Sequence, residues 1–175
     1  MTAAVPPPEL RSRATGTADE RAFITAGART ANDVRLLLRR CGAALGEPGQ
    51  RVLDFGCGCG RVLRHFRPER EAGTEFHGVD LDAGAIAWCS GNLAGLGTFR
   101  VGPAQPPLPF ADGWFDVAYG ISVFTHLADA AHEAWLDELR RVVRPGGVAL
   151  LTGYGPAAAR RSWLVERHAE AVLLR

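Results

Sequence analysis

The sequence contains no lysine: all 20 basic residues are arginine, and 19 acidic residues leave a formal net charge of only +1. Beside so much alanine and glycine, the missing lysine is typical of a coding bias rather than of a function. Because the basic residues are scattered and almost balanced, the charge favours neither nucleic acid nor an anionic membrane as a partner. No apolar run approaches the ~20 residues that a helix needs to cross a bilayer.

The N-terminus lacks the apolar core of a secretory signal. Three consecutive prolines at positions 6–8 disfavour regular structure there. Residues 1–18 are therefore predicted to form a disordered or loosely packed lead. The remainder, 19–175, is long enough for one domain with a substantial core and too short for two.

The cysteines are few and poorly spaced for a metal site. They are Cys41, Cys57, Cys59 and Cys89. Cys57 and Cys59 lack the two-residue spacer and the second ligand pair of a zinc site, so no metal is expected. Reduced thiols in a cytoplasmic protein are the simplest interpretation.

Hydrophobic patterns predict strands that alternate with helices. The predicted strands are 51–55, 75–80, 98–101, 114–120 and 148–154, and the predicted helices lie near 30–45, up to 66, after Asp82, and over 129–143. This alternation indicates a parallel sheet covered on both faces. The expected fold class is α/β: a Rossmann-like, doubly wound, mainly parallel sheet.

A glycine-rich loop follows the first predicted strand, in the stretch VLDFGCGCGR. Ligands of parallel sheets bind beyond the carboxyl ends of the strands, where this loop belongs. A dinucleotide site needs G-x-G-x-x-G, but Gly56, Gly58 and Gly60 form G-x-G-x-G, and Arg61 takes the place of the third glycine. A phosphate loop would need a Gly-Lys-Ser/Thr ending, which is absent. A tight turn without a ligand is the remaining alternative.

A carboxylate ends the second predicted strand. Asp80 lies 20 residues after Gly60, where it can accept hydrogen bonds from both hydroxyls of a ribose. It could instead cap the next helix, but Asp82 is better placed for that role.

Four stretches together carry a resemblance to a known family. VLDFGCGCGR, GVDLD, LPFADGWFDVAYGISVFTHL and ELRRVVRPGGVALLT occur in this order and spacing. They resemble class I S-adenosylmethionine-dependent methyltransferases over residues 30–153. The resemblance implies S-adenosyl-L-methionine as the cofactor and a small-molecule acceptor.

The resemblance also implies which residues bind the cofactor. They are Asp54, Phe55, Gly56, Gly58, Gly60, Asp80, Leu81, Ala104, Gly120 and Ile121. Asp54 and the loop backbone would hold the methionine end, flanked by Gly120 and Ile121, while Asp80 would take the ribose and Leu81 the adenine. The charges agree, since this ligand carries an ammonium and a sulfonium but no phosphate.

Two departures from the family pattern stand out. Gly102-Pro103-Ala104 replaces a frequent Gly-Asp-Ala, so the contact to the adenine amino group is lost or passes to the Ala104 backbone or Gln105. Only 22 residues follow Gly153, too few for a helix and an antiparallel strand pair. We expect one helix, or a helix and one strand, and a shortened sheet edge open to a protein partner or a second copy.

Methyl transfer needs a general base only if the acceptor must lose a proton; a carboxylate acceptor needs none. His126, after the fourth strand, is the best-placed candidate base. A histidine that ties down its loop is the favoured alternative. Residues 19–34 could form a lid through Phe23 and Ile24, or simply pack on the sheet.

Three functions are compatible with these patterns. The first is S-adenosylmethionine-dependent methyl transfer. The second is an inactive or partner-dependent S-adenosylmethionine-binding module. The third, a nicotinamide-dependent dehydrogenase, is disfavoured by Arg61 in the glycine loop.

Overall fold

The computed structural model describes residues 4–127, 129–154, 161–167 and 170–174. A seven-stranded sheet runs through it, in the order β3-β2-β1-β4-β5-β6-β7. The strands are β1 Arg51–Phe55, β2 Glu75–Asp80, β3 Thr98–Val101, β4 Phe115–Gly120, β5 Val143–Tyr154, β6 Arg161–Arg167 and β7 Glu170–Leu174. The first five strands pair in parallel, and β6 and β7 are antiparallel additions. The predicted α/β, mainly parallel sheet is confirmed.

Helices cover both faces of this sheet. They are α1 Pro8–Thr15, α2 Glu20–Arg40, α3 Arg67–Glu71, α4 Ala83–Asn92 and α5 Asp129–Val142, with a 3₁₀ turn at Leu63–His65. The core of one face joins α2 and α4 to alternate strand residues such as Val52 and Val117. The opposite core joins α5 to the intervening residues, such as Leu53 and Ala118. This alternation places successive side chains of each strand in different cores.

The N-terminal lead is more regular than its prolines suggested. Pro8 occupies the first helical position of α1, where a missing N–H costs no hydrogen bond. Helix α2 also begins earlier than predicted, at Glu20, because the Asp19 side chain accepts a hydrogen bond from the Ala22 N–H (2.6 Å). Pro68 lies in the first turn of α3 rather than ending a helix.

The C-terminal part differs from the prediction. A helix, alone or with one strand, was expected after β5, but the described residues there form the two strands β6 and β7. Strand β6 pairs with β5 along seven residues, from Val148 to Tyr154. Only six residues separate β5 from β6. A partner at the sheet edge stays a prediction, and the edge concerned is that of β7.

None of the described helices combines the length and apolar character required to cross a membrane.

His77 of β2 is a titratable group inside the apolar core. Its ring lies edge-on to Phe110 and Phe115, and neither ring nitrogen has a hydrogen-bond partner among the described residues. Burial lowers the pKa of His77 below its usual 6.5. The folded protein therefore favours the neutral ring.

We expect His77→Phe to make stability less dependent on pH. In the natural chain the unfolded state binds a proton at His77 that the folded state does not bind. The free energy of unfolding is therefore at its full value above pH 6.5 and decreases as the pH falls. Urea unfolding between about pH 5 and 7.5 should give a flatter profile for the variant. An equally steep profile would show that His77 does not cause the acid sensitivity.

Candidate functional site

A cleft of about 400 Å³ opens at the carboxyl ends of β1, β2 and β4. Among its lining residues are Arg13, Ala14, Asp54–Gly58, Arg61, Val79–Leu81, Gly102–Ala104, Leu108, Ile121–Val123, His126, Leu127 and Trp135. This is the edge where parallel sheets bind ligands. Its volume lies within the range usual for small-molecule sites.

Most predicted binding residues meet in this cleft. They are Asp54, Phe55, Gly56, Gly58, Asp80, Leu81, Ala104 and Ile121, and the candidate base His126 lies there too. Gly60 and Gly120 are not among the lining residues. A Cβ on Gly60 would lie 2.4 Å from Leu93, which caps the C-terminus of α4, and one on Gly120 would lie 3.0 Å from Leu151 of β5. Both glycines therefore serve the packing behind the cleft.

Asp80 joins the two strand ends that frame the cleft. Its Oδ2 accepts a hydrogen bond from the Gly58 N–H (2.7 Å), and its Oδ1 accepts one from the Asp82 N–H (2.9 Å). Asp82 caps α4 by accepting from Gly84 and Ala85, as predicted. A carboxylate has about four acceptor positions, so Asp80 can still accept from a ligand.

The glycine loop has two kinds of left-handed glycine. Gly56 has a φ of +76°, and a Cβ there would lie 2.2 Å from Val123, so packing alone requires this glycine. Gly58 has a φ of +52°, but a Cβ there would meet nothing within 4 Å. Because Gly58 also lines the cleft, its bare backbone leaves room for a ligand to approach.

Asp54, at the floor of the cleft, is only 2% exposed. Burial, together with the charge of Asp80, raises its pKa to about 7, although Tyr119 and Arg61 act in the opposite direction. Its Oδ2 has no hydrogen-bond partner among the described residues. A buried acceptor of this kind suits a ligand that brings a cationic donor, such as an ammonium group.

The proline-rich loop after β3 is clamped to α5. Arg141 forms ion pairs with Glu138 and Asp112 (both 2.6 Å), and it donates to the carbonyls of Leu108 and Phe110. The buried Glu138 accepts a hydrogen bond from the Leu108 N–H (2.7 Å). This clamp fixes the side of the cleft that carries Leu108. This clamping of the loop was not predicted from the sequence, where its signal is the acidic–basic pair in the ELRR stretch of α5.

The loop after β4 is held by a histidine other than the one predicted. His132 of α5 makes a 2.9 Å hydrogen bond to the Phe124 carbonyl, and its ring packs on that of Phe124. Phe124 is buried and does not line the cleft. The ring of His126 makes no hydrogen bond to any residue that the structure describes, and it lies exposed at the cleft. The tying role therefore belongs to His132.

Backbone strain marks the same loop. Ser122 has a φ of +64°, which is unfavourable for a residue with a side chain. Its N–H donates to Thr152 Oγ1 (2.6 Å), and its carbonyl accepts from Thr125 Oγ1 (2.9 Å). These bonds fix Ser122 at the cleft together with its neighbour Ile121, which was predicted to line it.

The cover of the cleft comes from α1 rather than from residues 19–34. Arg13 and Ala14 of α1 line the cleft, and Arg13 pairs with Asp82 across its rim (2.6 Å). Phe23 is instead buried against Cys59 and Ala85. Ordinary packing, the alternative for this segment, accounts for Phe23.

The chain belongs to the methyltransferase-domain family, whose model matches residues 52–147, more than half of the chain. It is 39% identical over 114 residues to a fatty-acid O-methyltransferase of Mycolicibacterium smegmatis, covering 62% of this chain and 38% of that protein. It is 35% identical over 100 residues to a malonyl-[acyl-carrier protein] O-methyltransferase of Pectobacterium atrosepticum, covering 57% of this chain and 37% of that one. The chain thus spans about two fifths of the length of these curated relatives.

A solved structure agrees with this assignment. Phosphoethanolamine N-methyltransferase 2 of Haemonchus contortus, in complex with S-adenosyl-L-methionine, is 30% identical. It superposes with a TM-score of 0.56, covering 71% of this chain and 28% of that protein. The class I methyltransferase fold is therefore established for this chain.

The open space at Gly58 yields a test with a matched control. Gly58→Ala should bind S-adenosylhomocysteine at least about tenfold more weakly, because the methyl group enters the cleft. Gly49→Ala introduces the same left-handed strain, at a φ of +76° and with nothing within 4 Å, but Gly49 does not line the cleft. Both variants should lose about 1–2 kcal/mol of stability. Equal calorimetric affinities for the two variants would contradict close approach at Gly58.

Proposed function

We propose that this chain transfers a methyl group from S-adenosylmethionine to a carboxylate oxygen of a small, largely apolar acid. The observation that supports this most is which elements line the cleft. The ends of β1 and β2 contribute Asp54, Gly58 and Asp80, called here the polar part, whereas the loops after β3 and β4 contribute Leu108, Leu127 and other apolar side chains.

The cofactor would lie along the polar part. Asp54 offers its carboxylate at the floor of the cleft to the ammonium group, and Asp80 offers acceptors to the ribose hydroxyls. Leu81 is 62% exposed at the cleft, which leaves an apolar surface for the adenine ring. Pro103 supplies neither a carboxylate nor an N–H there, so base recognition would rest on apolar contact and on the Ala104 backbone. When bound, the cofactor supplies a methyl group already activated by its sulfonium.

Holding the acceptor in line with that methyl group is then the main task of the protein. The apolar lining on the acceptor side includes Leu108, Val123, Leu127 and Trp135. Such a wall binds a hydrocarbon chain and excludes water from the reacting atoms. The two curated relatives are named for methylation of a fatty acid and of a malonyl group on a carrier protein.

With such an acceptor, His126 would not act as a general base. A carboxylate is already ionised near neutral pH and has no proton to lose. The exposed ring of His126, at the mouth of the cleft, would then orient the acceptor rather than remove a proton.

Asp80→Ala should weaken S-adenosylmethionine binding ten- to a hundredfold. Charge-assisted hydrogen bonds are each worth about 1.5–3 kcal/mol, and the variant also frees the loop at Gly58. Calorimetric titration measures this loss. Asp137→Ala is the control, because Asp137 pairs with Arg140 on the exposed face of α5 and does not line the cleft. If the folded natural chain binds no S-adenosylmethionine, the proposed cofactor use is wrong.

The acceptor is tested by turnover of S-adenosylmethionine with a medium-chain fatty acid and, separately, with a phenol of similar size. We expect methyl ester formation from the acid. His126→Gln, which keeps a hydrogen-bond donor, should change kcat by less than about tenfold and leave its pH profile flat near neutrality. Turnover of the phenol alone, abolished by His126→Gln, would instead assign His126 as a general base.

A further inference from the structure

A second polar group lies beside Asp54 under the cleft. Tyr119 of β4 is the register partner of Asp54 in β1, so both side chains project from the same face of the sheet. Tyr119 is fully buried, at 0% exposure. Its ring is held edge-on to Phe66, with the centroids 5.7 Å apart. Packing therefore fixes where its hydroxyl points.

Asp54 and Tyr119 each have a side-chain oxygen that can still form a hydrogen bond. Neither the Tyr119 hydroxyl nor Asp54 Oδ2 has a hydrogen-bond partner within the described part of the chain. Buried polar atoms without partners are rare and cost stability. The two groups are nevertheless close enough for Tyr119 to favour the ionised form of Asp54.

The surroundings of Asp54 decide whether it carries a proton. Burial opposes its charge most strongly, and Asp80 of β2 adds repulsion, while Tyr119 and Arg61 favour the charge. The thiols of Cys57, in the glycine loop, and Cys89, in α4, also interact with it, and burial raises the pKa of both above the ordinary range. The thiols therefore stay neutral, and at a pKa of about 7 roughly half of Asp54 is protonated in the free protein at neutral pH.

We propose that Tyr119 is a positioning residue for the cofactor: its hydroxyl donates a hydrogen bond to the ionised Asp54 carboxylate, in the free protein as in the complex, and so favours the charged form that the cofactor's ammonium group needs. When the ammonium group binds, the protonated fraction of Asp54 releases its proton to solvent. The inference rests on the proposed use of S-adenosylmethionine. The balance is simple: a carboxylic acid and an ammonium ion become a carboxylate–ammonium pair and one free proton. The Asp54 carboxylate thereby has a donor within the core and a cation on its cleft side.

This arrangement predicts the sign of a pH dependence. Binding favours ionised Asp54, so ligand affinity should fall as the pH drops below about 7, approaching tenfold for each pH unit. Above about pH 8 Asp54 is already ionised in the free protein, so its contribution to the pH dependence ends there, and only deprotonation of the ligand's own amino group lowers affinity further.

The test is calorimetric titration of S-adenosylhomocysteine, which keeps the ammonium group, between about pH 5.5 and 8.5. Two buffers with different ionisation enthalpies report the protons released. The natural chain should release nearly one proton for each ligand near pH 6, and progressively fewer as the pH rises past 7. Asp54→Asn should release none across this range.

Tyr119→Phe provides the decisive comparison, because it removes a buried hydroxyl without a partner and keeps the ring. The pH at which affinity begins to fall should rise by about half to one unit, while affinity near pH 8.5 stays within about threefold of the natural chain. Phe76→Leu is the control, because Phe76 belongs to the same core and stacks on Phe66. It should leave unchanged the pH at which affinity begins to fall.

Each contrary outcome has a definite meaning. If Tyr119→Phe weakens binding equally at every pH, its role is only structural and the proposal is wrong. If the natural chain binds the ligand without releasing a proton, the ionisation step is wrong, although the cofactor site stands. If the folded natural chain binds no ligand at any pH, the proposed function fails and this inference with it.

Discussion

The bond between the Asp80 carboxylate and the Gly58 N–H holds the rest of the site in place. It ties the loop that leaves β1 to the end of the neighbouring strand β2. The same carboxylate accepts from Asp82, which in turn caps α4 and pairs with Arg13 of α1. One side chain thus sets the geometry of a loop, a helix start and the covering helix. Because it is also a predicted ligand contact, binding and local order are coupled through it.

Helix α5 performs the corresponding task for the loops after β3 and β4. Arg141 and Glu138 clamp the proline-rich loop, while His132 holds the loop that carries His126. Such loops have little regular structure of their own, so their shape depends on these side-chain bonds. Helix α5 therefore holds the apolar lining of these loops in place and leaves the exposed His126 ring at the cleft.

Local patterns predicted most of the fold because they are set by the residues themselves. Strand β3 has its predicted bounds of 98–101, and β4 begins one residue later than predicted. The prediction failed where distant contacts decide. Helix α1 begins at the third of three consecutive prolines and buries none of its residues fully, so its own sequence carries no amphipathic signal. The two strands β6 and β7 fit into the tail because only six residues connect β5 to β6, where a helix was expected.

The site shows the same limit at the level of single residues. Gly58 and Gly60 are equivalent in the sequence motif, and both have left-handed backbones. Only the packing of α4 shows that Gly60 makes room for Leu93 while Gly58 faces open space. Only the packing of α5 against the loop shows that His132, and not His126, holds the loop by a hydrogen bond. Residues close to the motifs in sequence were correctly predicted to lie near the site, but only tertiary contacts show which role each of them has.

The hydrogen bonds of the glycine loop favour the proposed cationic ligand over a dinucleotide. A pyrophosphate site relies on free backbone N–H groups at the start of a helix. Here the N–H groups of Gly56 and Cys57 both donate to the Val79 carbonyl, and that of Gly58 donates to Asp80. Asp54 and Asp80 add carboxyl groups where a phosphate would need positive charge. A phosphate would therefore find these donors occupied and would meet repulsion, whereas an ammonium group and ribose hydroxyls would find acceptors. The proposed ligand preference therefore follows from the hydrogen bonds that the N–H groups of the loop already make within the protein.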